Sequence, residues 1–310
     1  MKETSAATHS PPTQPLLPGE RIGIVGLGSL GMPLARNLLR AGFDVLGYAR
    51  RPSGDLAAAG GRLAESISSL ARACRCVVTC LPSADALAAV VSGSDGLARH
   101  ADAGDIVIDV STLPVAAKRA QCDALVAKGA GMLDCGISGN HRYVANWTAG
   151  LFASGVRDEF DRCAVVLRAM TPHVTYVGAF GCGTAMKLVA SLLVPVHTLA
   201  AAEALLLAQR AGIEPATAFS AITGTQASSG MFETRGASMA AGDFGGPPLA
   251  DYYARNVALS LDLARSLGGR YPMLETMAAC YRDAIGAGFG QLDQSGMFAY
   301  LAKHGGVAHG

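Results

Sequence analysis

A chain of 310 residues, half of them hydrophobic and 16% charged, is long enough to bury a substantial core, so we expect two domains or one large one. The formal net charge of +1 and the single Trp argue against nucleic acid as the main ligand, because binding to phosphate backbones needs a basic surface. Eight Cys without the spacing of metal ligands indicate reduced, structural thiols in a cytoplasmic protein and predict no metal site.

Two segments bear on targeting and assembly. Residues 1–19 are rich in Pro, Ser and Thr and have no apolar core, which predicts a disordered tail instead of a signal peptide. The apolar stretch Leu188–Ala208 contains Pro195, His197 and Glu203, so we expect a helix buried on most sides and not a membrane span. In a soluble protein a helix this apolar usually needs a partner subunit or a wrapping domain to cover it, and we expect a homodimer or a higher homo-oligomer.

Short apolar runs alternate with helical segments from Arg21 onwards, which predicts an α/β domain with a mostly parallel, doubly wound sheet. After Gly178 the strand signal disappears, and an all-α domain should follow. The predicted domains span residues 20–180 and 181–310. The predicted strands are Arg21–Val25, Asp44–Tyr48, Arg75–Leu81, Asp105–Val110, Gly131–Asp134, Thr148–Gly155 and Val174–Val177. The predicted helices are Leu30–Ala41, Ala84–Val91, Pro114–Lys128, Asp158–Met170, Cys182–Ala211, Pro215–Ile222, Leu249–Leu267, Pro272–Ile285 and Asp293–Ala302.

A glycine loop joins the first strand to the first helix with the spacing G-x-G-x-x-G. Gly26 allows the tight turn, Gly28 lets the backbone approach a pyrophosphate, and Gly31 permits close packing of helix on strand. The free N–H groups of the helix N-terminus favour a phosphate there. The loop therefore predicts a dinucleotide-binding Rossmann domain whose cofactor-binding residues are Gly26, Leu27, Gly28, Ser29, Leu30 and Gly31.

The end of the second strand indicates which dinucleotide binds. NAD sites usually place Asp or Glu about 20 residues beyond the glycine loop, to bind the ribose hydroxyls. This chain has Arg50 and Arg51 there and no carboxylate. Because guanidinium groups can bind a 2′-phosphate, the sequence favours NADP, with NAD still possible.

Lys187 stands near the start of the long apolar helix, in Gly181-Cys182-Gly183-Thr184-Ala185-Met186-Lys187. Burial lowers the pKa of a lysine toward neutrality, where an amine serves as a general acid or base. We therefore predict Lys187 as the catalytic residue.

Five motifs in order resemble those of the β-hydroxyacid dehydrogenase family, which includes 3-hydroxyisobutyrate dehydrogenase and tartronate semialdehyde reductase within the 6-phosphogluconate dehydrogenase superfamily. The resemblance covers about residues 21–303. The motifs are the glycine loop continued to Leu38, Cys80-Leu81-Pro82, Asp109-Val110-Ser111-Thr112, Asp134-Cys135-Gly136-Ile137-Ser138-Gly139-Asn140, and Gly181 to Lys187.

The resemblance implies hydride transfer between nicotinamide and a small β-hydroxyacid or semialdehyde, with Lys187 as the proton donor or acceptor. It implies that Leu81, Pro82 and Thr112 lie beside the cofactor and that Ser111, Ser138 and Gly139 hold the substrate. Three positions depart from the family pattern. Ser191 stands where an Asn is usual, the substrate loop continues as Asn140-His141-Arg142-Tyr143 where small residues are usual, and Arg255-Asn256-Val257 replaces K-D-L. Asn140 and Ser191 are still expected at the substrate and Arg255 at the cofactor.

Two alternatives remain open. Imine reductases share this architecture, but they typically replace the lysine that this chain retains. A non-catalytic NADP-binding module would fit a decayed site, and Ser191 and Asn140 are the only residues that favour it.

Overall fold

The computed structural model describes residues 14–51 and 54–304. Their contacts divide the chain into two compact units, with the division between Lys187 and Leu188. The predicted boundary lies slightly earlier, because the first turns of the long helix pack with the first unit. All eight Cys lie in the described residues, and none is in a disulfide.

The first unit is built on one eight-stranded sheet, as the alternation of strands and helices predicts. The strand order is β3-β2-β1-β4-β5-β6-β7-β8. Every neighbouring pair is parallel except β6 with β7, so the predicted doubly wound, mostly parallel sheet is confirmed. The strands are β1 (Arg21–Val25), β2 (Asp44–Tyr48), β3 (Arg62–Leu63), β4 (Cys76–Thr79), β5 (Ile106–Asp109), β6 (Gly131–Ser138), β7 (Gly150–Ser154) and β8 (His173–Tyr176).

Helices cover both faces of this sheet. Alternate residues of the central strands enter two separate cores: Ile22 and Ile24 of β1 pack in one, and Val25 packs in the other. The helices are α1 (Gly31–Arg40), α2 (Asp55–Ala58), α3 (Ile67–Ala73), α4 (Ala84–Val91), α5 (Leu97–His100), α6 (Val115–Val126), α7 (His141–Ala145) and α8 (Arg157–Met170).

Residues 14–19, at the end of the segment predicted to be disordered, pack against the first unit. Leu16 is only 5% exposed and packs in the core that contains Ile22 and Ile24. Its backbone N–H donates to the carbonyl of Arg162, and Gly19 donates to Gly42. The prediction of disorder is therefore wrong for residues 14–19, and residues 1–13 lie outside the described part of the chain.

Among its described residues the second unit contains helices joined by turns and no strand, as predicted. Its core gathers Leu199, Leu205, Leu249, Tyr281 and Met297. The predicted helix over residues 249–267 forms as one run that contains a π-helical turn at Tyr253–Val257, and a second π-helical turn spans Phe232–Gly236. The α-helices are α9 (Cys182–Arg210, shared with the first unit), α10 (Pro215–Ile222), α11 (Ala237–Ala241), α12 (Leu249–Tyr252), α13 (Ala258–Leu267), α14 (Pro272–Gly286) and α15 (Gly296–His304), with a 3₁₀ turn at Phe289–Gln291.

Helix α9 departs from the sequence prediction in its burial. It is long and apolar enough to cross a membrane, a test that core helices of soluble proteins also pass, but only 39% of its most apolar stretch is buried. Ala202 and Leu205 are fully buried, whereas Leu193 and Leu207 are 51% and 71% exposed. Burial on most sides is therefore wrong for the single chain, and Glu203 is also exposed.

Candidate active site

Apart from the motif that contains Lys187, the predicted site segments of the first unit lie at the ends of strands that are neighbours in the sheet. Strands β2, β1, β4, β5 and β6 are adjacent and mutually parallel, so their carboxyl ends share one edge, which is where ligands bind in such sheets. In this order the edge carries Arg50 and Arg51, the glycine loop, Leu81 and Pro82, Ser111 and Thr112, and Ser138 to Asn140.

The glycine loop has the geometry that dinucleotide binding needs. Gly26 has φ +100°, and a Cβ there would collide with the carbonyl oxygen of Cys80. A Cβ on Gly31 would collide with the carbonyl of Gly26, so this glycine brings α1 onto β1. A Cβ on Gly28 would meet no protein atom within 4 Å, so packing does not require glycine there, whereas close approach of a phosphate does. The residues fit a dinucleotide.

Arg50 and Arg51 lie beside this loop. The N–H of Gly26 donates to the carbonyl of Tyr48 at 3.0 Å, which holds the end of β2 against the loop. Both arginines follow within three residues and are exposed. Their role in the choice between NADP and NAD stays a prediction, and Pro52 beyond them lies outside the described residues.

Ser111 and Thr112 follow β5 but differ in what their hydroxyls can do. Ser111 is 3% exposed, its Oγ donates to Oδ1 of Asp109 at 2.6 Å, and it accepts the N–H of Leu81 at 2.9 Å. Its hydroxyl proton is therefore already used, and a substrate contact from Ser111 stays a prediction. Thr112 is half-buried and makes no side-chain hydrogen bond within the described residues, so its hydroxyl is the better placed donor.

The substrate loop begins where β6 ends. Gly139 has φ +120° and is exposed, and a Cβ there would lie 2.9 Å from Cβ of Tyr143. The side chain of Asn140 caps α7 by accepting the N–H of Arg142 at 2.9 Å, which leaves its amide NH₂ for a ligand. Arg142 and Tyr143 are exposed on α7, a helix that the sequence analysis did not predict.

Lys187 is held against the sheet by glycines. A Cβ on Gly136 would lie 2.5 Å from Cβ of Lys187, and a Cβ on Gly183 would collide with the carbonyl oxygens of Asp134 and Phe152. These two glycines let α9 pack directly on β6 and β7, which accounts for the four-residue spacing between Gly183 and Lys187 in the motif. Lys187 is 7% exposed, and burial, assisted by the charge of Lys118, lowers its pKa to about 8.

A buried ionic cluster that the sequence analysis missed lies behind this site. Lys118 of α6 is fully buried, with Nζ 2.9 Å from Oδ2 of Asp109 and 2.6 Å from Oδ1 of Asp134. It also donates to Oγ1 of Thr184 at 3.0 Å. A signal existed in the sequence, because Lys118 shares one helical face with Cys122 and Leu125, and a lysine in an apolar stripe indicates a buried ionic partner.

The predicted site residues of the second unit are Ser191 and Arg255. The carbonyl of Ser191 accepts the phenol of Tyr252 at 3.1 Å, and Arg255 is 78% exposed, 3.7 Å from Asp251. Their roles stay predictions. Among the described residues, no three His, Cys, Asp or Glu side chains come together to hold a metal.

Comparisons with known proteins agree with this arrangement. The profile described as the NAD binding domain of 6-phosphogluconate dehydrogenase matches residues 21–178, and that of NADP-dependent 3-hydroxyisobutyrate dehydrogenase matches residues 181–301. An L-threonate dehydrogenase of Cupriavidus necator is 32% identical over 277 residues, covering 88% of this chain and 93% of the relative. A 3-hydroxyisobutyrate dehydrogenase of Salmonella typhimurium is 32% identical, with a TM-score of 0.77 over 90% of this chain and 99% of that one.

An imine reductase of Myxococcus stipitatus shares the fold, with a TM-score of 0.64 at 18% identity over 92% of this chain and all of that one. The likeness to hydroxyacid dehydrogenases is greater and extends over both units. This likeness, together with the glycine loop at the carboxyl end of β1, shows that the chain belongs to the β-hydroxyacid dehydrogenase family. The chain is therefore an NAD(P)-dependent oxidoreductase acting on the CH–OH group of small hydroxyacids.

Proposed function

We propose that this enzyme is an NADP-preferring dehydrogenase of a small hydroxyacid that carries further polar groups, with Lys187 as the proton donor and acceptor. The observation that carries the proposal is the place of Lys187. It is buried, its pKa is lowered to about 8, and its Cβ lies against Gly136, two residues before Ser138 at the edge where the cofactor loops converge.

The chemistry divides between cofactor and protein. When bound, nicotinamide supplies or accepts the hydride at its C4. Lys187 moves the proton on the substrate oxygen: the ammonium donates it when a carbonyl is reduced, and the neutral amine accepts it when an alcohol is oxidised. A pKa of about 8 gives both forms substantial populations near neutral pH, which is where an acid/base catalyst works best.

The cofactor would lie along the strand ends. The backbone of the glycine loop and the N-terminus of α1 would hold the pyrophosphate. Arg50 and Arg51, both exposed just after β2, would hold the 2′-phosphate of NADP. Leu81 and Pro82 would line the path toward the nicotinamide.

The substrate carboxylate would be held by donors that the structure leaves available. Thr112 offers its hydroxyl, Ser138 is half-buried at the end of β6, and Gly139 is exposed in a left-handed conformation. The free NH₂ of Asn140 would donate to a further oxygen of the substrate. These groups would be left unpaired by an apolar substrate, which disfavours it.

The substrate class follows from the loop after Gly139. Asn140, His141 and Arg142 replace small residues with an amide, an imidazole and a cation, and all three are exposed. Such a loop suits an acid with additional hydroxyl groups better than a short aliphatic one. The name of the Cupriavidus relative, an L-threonate dehydrogenase, supports a polyhydroxylated acid.

The proposal also covers the oligomeric state of the enzyme and its location in the cell. The exposed apolar residues of α9, among them Val189, Leu193 and Leu207, would be covered in a homodimer or higher homo-oligomer. The eight free Cys, six of them with a raised pKa, suit a reducing cytoplasm.

A panel of substrates tests the proposal. NADP⁺ reduction would be followed with threonate, glycerate, 3-hydroxyisobutyrate and 4-hydroxybutyrate, and NADPH oxidation with keto acids, semialdehydes and cyclic imines. We expect the highest kcat/KM for a hydroxyacid with at least two hydroxyls. Faster turnover of a cyclic imine would support the imine reductase alternative, and NADPH binding without turnover of any compound would support the non-catalytic one.

A further inference from the structure

Lys118 occupies an unusual place for a lysine. Its side chain is 0% exposed, as are those of Asp109 and Asp134, the two carboxylates that bind it. Burying three charges has a large desolvation cost, and apolar residues in such places are often equally stable. A role in stability alone therefore explains the cluster poorly, and its connections suggest another role.

One carboxylate of the cluster holds the loops on the cofactor side. Oδ1 of Asp109 accepts the hydroxyls of Thr79 at 2.7 Å and Ser111 at 2.6 Å. Ser111 in turn accepts the N–H of Leu81 at 2.9 Å. Asp109 thus fixes the ends of β4 and β5, which carry Leu81 and Thr112.

The other carboxylate holds the first turn of α9. Asp134 accepts the N–H of Thr184 at 2.8 Å and its hydroxyl at 2.6 Å. Ser154 donates to Asp134 and accepts the N–H of Gly183 at 2.8 Å. Lys187 follows Thr184 by three residues on the same helix, so the position of its amine depends on this anchor.

We propose that Lys118 is a positioning residue for hydride transfer, whose ammonium joins Asp109 to Asp134 and thereby fixes the Thr112 loop relative to the helix that carries Lys187. This inference rests on the proposed role of Lys187 as the acid/base. Lys118 connects the two carboxylates, because no other side chain among the described residues forms an ion pair or hydrogen bond with both of them.

The charges of the cluster affect the pKa values of its own members and of Lys187. Burial alone would lower the pKa of Lys118, but Asp109 and Asp134 outweigh it and raise that pKa, so Lys118 keeps its charge. Burial would raise the pKa of Asp134, but Lys118, together with the hydrogen bonds from Thr184, outweighs burial and lowers that pKa, so this carboxylate stays ionised. After burial, the charge of Lys118 is the other cause that lowers the pKa of Lys187. Removing it should raise the pKa of Lys187.

The experiment compares wild type with Lys118→Met and with the control Lys128→Met, which removes an exposed lysine near the end of α6. The rate at which acetic anhydride acetylates Lys187, followed by mass spectrometry across pH, gives the pKa of its amine without any turnover. We expect the pKa of Lys187 to be higher by roughly one unit in Lys118→Met than in wild type, which is the size of effect that one nearby charge produces. In the same variant kcat/KM should fall about tenfold or more, since small misplacements of catalytic groups are costly.

A second variant guards against loss of folding. Lys118→Met with Asp109→Asn removes one charge of each sign, so the net charge of the cluster is unchanged while the bridge is lost. Its kcat/KM should fall as in Lys118→Met because the bridge is lost, whereas the pKa of Lys187 should rise less because the net charge of the cluster is unchanged. A folded variant in which Lys187 titrates as in wild type and kcat/KM is unchanged would overturn the inference. So would failure of both variants to fold, since Lys118 would then serve stability alone. Full turnover by a Lys187 variant would instead reject the proposed function. The acetylation profile measures only the pKa of Lys187, so it tests the role of Lys118 separately from the proposed function.

Discussion

Thr184 and Asp134 are joined by two hydrogen bonds, one from the backbone N–H and one from the hydroxyl of the threonine. The carboxylate therefore acts as an anion at the N-terminus of α9, where the helix dipole favours it. Because Lys187 lies three residues further along, this pair fixes the amine relative to β6. The sequence motif with Asp134 and the motif with Lys187 are thus parts of one structural unit.

Replacing Asp134 with Asn should destabilise the enzyme strongly. The substitution leaves the ammonium of Lys118 short of one buried partner, and breaking a buried ion pair costs about 3–5 kcal/mol. Urea denaturation measures the loss. The control is Asp44→Asn, which removes partly exposed ion pairs to Arg21 and Arg62 and should cost no more than about 1 kcal/mol. Equal losses in the two variants would contradict the importance of the cluster.

The pH profile should report the amine of Lys187. Its pKa is lowered to about 8, so below that pH the amine is protonated and above it neutral. For alcohol oxidation the neutral base is needed, and kcat/KM should rise about tenfold per pH unit up to pH 8 and then level off. For carbonyl reduction the ammonium is needed, and kcat/KM should fall above pH 8. We expect the two profiles of kcat/KM against pH, one for oxidation and one for reduction, to have the same inflection and opposite slopes. Slopes of the same sign would argue against one group that serves both directions.

The main features of the fold follow from the sequence because its long elements carry strong local signals. The strand ending at Val25 and the helix starting near Gly31 are predicted within one residue, since apolar runs and the glycine loop mark them. Elements of four or five residues such as α2, α5 and α7 were missed. They bury only a few side chains each, so their sequences show no clear periodicity.

The candidate site was predictable in its motifs but not in its connections. Lys187 and the glycine loop can be identified in the sequence from their residue types and spacing. The pairing of Lys118 with Asp109 and Asp134 is a tertiary contact among three elements, which no local pattern specifies. Similarly, the burial of Ser111 and the use of its hydroxyl by Asp109 depend on how β4 and β5 align.

We predict that cofactor preference depends on Arg50 and Arg51. We expect wild type to bind NADPH at least tenfold more tightly than NADH, because charge-assisted hydrogen bonds to a 2′-phosphate contribute about 1.5–3 kcal/mol. Arg50→Ala with Arg51→Ala should remove this preference and leave NADH affinity unchanged. Fluorescence titration measures both affinities, with Arg99→Ala as the exposed control. Equal affinity for the two cofactors in wild type would refute the assignment.

We predict that the loop after Gly139 selects the substrate. Arg142→Ala should lower kcat/KM for a polyhydroxylated acid such as threonate by about tenfold, the effect of losing one charge-assisted hydrogen bond. Turnover of 3-hydroxyisobutyrate should change little, since it has no further hydroxyl to meet the guanidinium. Arg168→Ala, an exposed arginine of α8, provides the control. If 3-hydroxyisobutyrate is the better substrate and Arg142→Ala affects neither, the loop does not select substrate.

The most direct test of the account is Lys187→Met, assayed for single-turnover hydride transfer and for NADPH affinity on the same preparation. The substitution keeps the length of the buried side chain but removes the proton, so hydride transfer should slow at least a hundredfold, the usual range for such a group. NADPH affinity should stay within about twofold of wild type, because in the proposed arrangement the glycine loop and the two arginines, and not Lys187, would hold the cofactor. Lys128→Met should leave both unchanged. Hydride transfer by Lys187→Met at a rate near that of wild type would contradict the central claim.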